Sequence, residues 1–84
     1  MSYELFSGNE TLGQIASNAG WRETAAFLER QDGAAAELAE TGEADAGKLS
    51  AQLPGLLEEA PADVRSVLET IQGLLPSSGE VSVA

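Results

Sequence analysis

The segment from Pro61 to Leu75, PADVRSVLETIQGLL, constrains this chain more than any other. Val64, Val67, Leu68, Ile71, Leu74 and Leu75 fall at i, i+3, i+4, i+7, i+10 and i+11, one apolar stripe on a helix of period 3.6. Pro61 suits the first helical position, where its missing N–H has no partner to lose. Asp63 puts a negative charge near the positive end of the helix dipole, and Pro76 prevents continuation. Arg65 and Glu69 stand four apart on the polar face, a pair worth about 0.3 kcal/mol. The stripe outweighs the pair, so this helix needs apolar surface from the rest of the chain.

The upstream residues read as shorter helices that supply it. Leu49, Leu53, Leu56 and Leu57 form a second stripe within 47–60, and Pro54 inside it predicts a kink or a division near Gln52 and Leu53. Residues 34–41, alanine-rich and acidic around Leu38, predict two turns of helix capped by Asp32 and ended by Gly42. Trp21, Ala25 and Leu28, with Phe27 on the flank, predict a helix over 21–31 that breaks at Asp32-Gly33. Asn9 can cap a helix with Leu12, Ile15, Ala16 and Ala19 on one side and Gly20 as its left-handed stop, weakened by Gly13. The segment GEADAG over 42–47 reads as a loop.

The two ends are less regular. Residues 1–8 are a lead-in where Tyr3, Leu5 and Phe6 pack as an extended segment or a first turn, and residues 77–84 are an extended tail. In that tail Glu80-Val81-Ser82-Val83 alternates like a strand that either pairs with Tyr3 to Phe6 or frays. The expected architecture is all-α, one domain over 1–84 built as a bundle of four to five short helices, with at most a minimal two-stranded pairing of the termini.

Composition narrows the functions. A chain of 84 residues has room for one core and buries roughly 60 to 65% of its unfolded surface. It has no cysteine and no histidine, so it has no disulfide and lacks the commonest transition-metal ligands; no cofactor or metal is expected. No basic and apolar leader opens the chain, and no run approaches the roughly 18 apolar residues of a bilayer span, so a soluble cytoplasmic protein with no membrane contact is expected. The Asn9-Glu10-Thr11 sequon is then coincidental. Fourteen Asp and Glu against four Lys and Arg give a net charge of −10. That charge serves solubility, and it also suits a positively charged partner.

Residues 11–28, TLGQIASNAGWRETAAFL, resemble the helix-turn-helix pattern of DNA-binding repressors through Ile15, Ala16, Gly20 and Trp21. The resemblance implies a recognition helix over 22–30, where the sequence departs from the family: Arg22, Arg30 and Thr24 stand beside Glu23 and Glu29. Phosphate neutralisation needs Lys and Arg, so direct nucleic-acid binding is not expected of a domain this acidic.

Catalysis finds little support. No nucleophile-elbow glycines surround any serine, and Glu58 and Glu59 point about 100° apart on a helix, unlike a glycosidase dyad. The acids of residues 43–47 are out of register for a calcium loop. Leu49-Ser50-Ala51 lacks the flanks of the acyl-carrier-protein signature. A binding surface remains. Glu29, Asp32, Glu37, Glu40, Glu43 and Asp45 lie within seventeen residues with Arg30 as the one base among them. Trp21, beside a glycine, either anchors an interface or fills the core.

The expected function is a non-enzymatic interaction module whose acidic face binds a basic protein, of the physical type of inhibitors, immunity proteins and antitoxins that mimic nucleic-acid charge. The alternatives are a helix-turn-helix-like regulatory domain and a self-associating structural subunit.

Overall fold

Apolar and polar residues alternate at both ends of the chain. In the computed structural model, which describes residues 1–84, these ends become the centre of a four-stranded antiparallel sheet. Strands β1 (Ser2–Ser7) and β4 (Glu80–Val83) are the inner pair, and β2 (Glu10–Ser17) and β3 (Glu43–Asp45) are the edges, in the order β2-β1-β4-β3. Leu5 lies opposite Val83 and Phe6 opposite Ser82. Just beyond them Glu4 and Ala84 exchange two backbone hydrogen bonds, 2.9 and 3.1 Å long. The lead-in and the tail are therefore the best-connected strands of the molecule.

Four helices, α1 (Asn18–Glu29), α2 (Gly33–Thr41), α3 (Ala46–Glu59) and α4 (Ala62–Leu74), complete the fold. With 57% helix and 25% strand the protein is α+β, which corrects the all-α bundle expected from the sequence. Its core holds seventeen buried apolar residues drawn from both layers, including Leu5, Ile15, Ala44 and Val81 from the sheet.

The main correction falls at residues 9–20. Glu4 pairs with Gln14 and Tyr3 with Ala16, leaving Ile15 extra, while Leu5 pairs with Gly13 and Phe6 with Thr11, leaving Leu12 extra. Each bulge resets the strand alternation by one residue. Leu12 and Ile15, three apart, thus both reach the core. A spacing of three is also what a helix produces, hence the misreading. Asn9 is a turn residue and no helix cap. The two-residue loop Gly8-Asn9 joins β1 to β2 with positive φ at Gly8 (61°) alone, the φ signs of a type II′ hairpin. Gly20 stops nothing: it lies in the first turn of α1, and its N–H donates to the capping Ser17 hydroxyl at 3.1 Å. Gly13 matters through its size, since a Cβ there would stand 2.9 Å from Leu74 Cδ1, where α4 settles on β2.

The expected loop over 42–47 holds an edge strand instead. Glu43, Ala44 and Asp45 pair with Ser82, Val81 and Glu80, and Ala44 is buried. Asp45 then caps α3 by accepting a hydrogen bond from the Lys48 N–H at 2.8 Å. Helix α3 runs through Pro54 as one element rather than two, with the proline on its exposed side. Asp32 occupies the N-cap position of α2, but its side chain makes no capping bond. Gln52 of α3 does that work across the helix pair: its Oε1 accepts from the Ala35 N–H at 3.0 Å, and its Nε2 donates to the Asp32 carbonyl at 2.7 Å.

Helix α4 follows its stripe, with Val64, Val67, Leu68 and Ile71 buried and Leu74 packed at the margin. The Arg65–Glu69 pair is present at 3.5 Å with both side chains more than half exposed. Thr24 is the one buried polar side chain, and its hydroxyl donates to the Gly20 carbonyl at 2.8 Å. No helix is long and apolar enough to cross a membrane.

Candidate acidic interface

The sheet has one covered face and one open face. In β1, Leu5 is fully buried and Tyr3 packs against the core, so Glu4 and Phe6, one residue out of phase, point the other way. In β4, Val81 and Val83 face the core while Glu80 and Ser82 face outward, and in β3 Ala44 is buried between outward-facing Glu43 and Asp45. Thr11, Phe6, Ser82 and Glu43 stand in one row across all four strands. Phe6 is half-buried yet packs on none of the core residues.

The bases keep to the helical layer, which carries eight acids of its own beside them. The strands carry Glu4, Glu10, Glu43, Asp45 and Glu80 and no base, while Arg22, Arg30, Lys48 and Arg65 all lie on or at the ends of helices. Asp45 and Glu80 are directly opposite one another across β3 and β4. Like charges so placed repel and lower stability. A depression of about 430 Å³, lined by Ser7, Gly8, Glu43, Glu80, Val81 and Ser82, opens at β4. No group of three or more acids has a geometry that would hold a metal ion.

The six acids singled out from the sequence follow the length of α2. Glu29 and Asp32 lie at its N-terminal end, and Glu37 and Glu40 are exposed on the side opposite buried Ala34, Ala35 and Leu38. Glu43 and Asp45 lie past its C-terminal end, on the open face of the sheet. The junction is held by Thr41, whose hydroxyl bonds the Glu37 and Glu43 carbonyls at 2.9 and 3.3 Å and accepts from the Glu43 N–H at 3.2 Å. Nine residues of helix span roughly 13 Å, which separates the two ends of this series. Trp21 is only 9% exposed and belongs to the core, with its ring centroid 5.7 Å from that of Tyr3.

Glu4, Phe6 and Glu80 were not singled out from the sequence. Their signal is the alternation of Tyr3-Glu4-Leu5-Phe6 and Glu80-Val81-Ser82-Val83, which assigns them to one side only once the two segments are paired. The helix pair implied by the helix-turn-helix resemblance is absent, because Glu10–Ser17 is a strand. Comparison with protein-family models, with curated proteins and with solved structures found no match.

A second concavity, of about 260 Å³, lies between α1 and α4 over Ala26, Phe27 and Val64, rimmed by Glu23, Arg30 and Asp63. Its rim carries both signs of charge and favours no class of ligand.

Proposed function

We propose that this protein is a non-enzymatic interaction module that binds a basic protein partner through its acidic surface, in the manner of a small inhibitor or immunity-type protein whose carboxylates take the place of nucleic-acid phosphates. The observation that carries this reading is a sheet that bears acids and no base. Of four bases none lies on a strand, whereas five acids do, and two further exposed acids, Glu37 and Glu40, lie on the adjoining helix. With no base on any strand, the open face of the sheet presents carboxylates alone, and a partner with a basic surface is steered and selected by such a field.

The test is affinity capture from the native cell extract at low and high salt. One basic protein, retained at about 50 mM salt, released at about 1 M, and lost from the Glu37→Gln, Glu40→Gln, Glu43→Gln, Asp45→Asn variant, is the expected outcome. Capture that ignores both salt and these substitutions would overturn the reading.

A further inference from the structure

We infer that the occupant of the open sheet face is an extended, arginine-bearing segment of the basic partner, with a guanidinium seated over β4 between Phe6 and the carboxylates of Glu43 and Glu80. The inference rests on the reading above and goes further by giving the site and the side chain it takes.

Phe6 is the starting point. It is the one large apolar side chain on the sheet that points away from the core, and it keeps part of its surface exposed without packing on the core cluster. Around it the face offers Glu4 on the same strand, Glu43 in the same cross-strand row through Ser82, and Glu80 on β4. No base of this chain reaches these acids, because the one ion pair in the molecule is Arg65–Glu69 on α4. A second copy of the chain would bring a like-charged face and be repelled, so the face does not suit self-association.

The depression is lined by Glu43, Glu80 and Ser82, the last being the strand partner of Phe6, so the ring stands beside it and the chemistry of the occupant follows from both. An aromatic face attracts a cation, and carboxylates on neighbouring strands accept hydrogen bonds from a planar fork of donors. Arginine supplies both and lysine only the first, because its ammonium is a strongly hydrated point charge. A guanidinium here also relieves the repulsion between Glu80 and the directly opposed Asp45. An extended segment suits an open sheet face, since every second side chain of a strand points to the same side.

The experiment uses the whole protein, 15N-labelled, titrated with an eight-residue peptide of alternating arginine and threonine and with its lysine counterpart. Amide shifts centred on Glu4, Phe6, Glu43, Glu80 and Ser82 are expected, with tighter binding of the arginine peptide. Phe6→Thr, which keeps strand propensity, should weaken that peptide by roughly 2- to 5-fold and erase its advantage over lysine. Glu43→Gln with Glu80→Gln should weaken both peptides without touching the ring, and the amide spectra report whether each variant keeps the sheet. Shifts confined to α2, abolished by Glu37→Gln and Glu40→Gln, would overturn this inference and leave the proposed function standing. Absence of binding by either peptide also overturns it; the broader reading falls only if the extract yields no salt-sensitive basic protein as well.

Discussion

Gln52 shows how one side chain changes what its neighbours must do. Asp32 is the residue type that caps helices, yet α2 is capped by the amide of Gln52, from twenty residues further along the chain. Replacing Gln52 with alanine leaves the Ala35 N–H without its partner and removes the tie to the Asp32 carbonyl. The expected cost is about 1 kcal/mol by chemical denaturation, with the faster amide exchange confined to the first turn of α2. Asp32→Ala should cost much less, the reverse of the order that residue type suggests. Ile71, fully buried in α4, belongs to the other kind of residue, whose role follows from its position in the stripe. Ile71→Ala should destabilise by about 3 kcal/mol, a large share of the stability of a domain this size.

At the scale of elements, α3 and β2 break local rules in different ways. Pro54 lacks an N–H and crowds the preceding turn, yet α3 continues past it because Leu49, Leu53 and Leu56 are buried on the opposite side. Packing of that stripe offsets the defect. A proline in a helix interior costs about 3 kcal/mol, of which roughly 1 returns through a less flexible unfolded chain. Pro54→Ala should therefore stabilise the protein by about 2 kcal/mol, visible as a higher melting temperature, and a lower one would show that the proline fits its site. Strand β2 departs from alternation through its two bulges, which also bend an exposed edge and so discourage pairing with another chain. Helix α4 breaks no rule, and its limits were readable from Pro61, Asp63 and Pro76 before any packing was known.

For the whole molecule, a net charge of −10 with a single exposed ion pair makes self-repulsion a global property. Screening shortens its range from about 30 Å at 0.01 M salt to about 3 Å at 1 M. The melting temperature should thus rise by several degrees over that interval in sodium chloride, whereas binding of a basic partner should weaken over the same interval. The opposed responses separate repulsion within the fold from attraction across the interface. A melting temperature that stays flat would mean that the acids are already far enough apart to be screened by water.

By itself the sequence determined the helices whose apolar residues recur with a period near 3.6, the stop at Gly42, the exposed Arg65–Glu69 pair and the excess of acid, because each depends on neighbours a few residues away. Only the tertiary structure decided that residues 10–17 are a strand, since a bulge is defined by the partner strand that it fails to match. It likewise decided that the two ends of the chain meet at the centre of the sheet and that 43–45 joins its edge. The candidate surface divides in the same way. Glu37 and Glu40 were legible because they are three apart on one helix, while Glu4, Phe6 and Glu80 acquire a common side only through backbone hydrogen bonds between residues nearly eighty positions apart. Short-range periodicity records which face of a helix is wet; which side of a sheet is left open depends on where the helices come to rest.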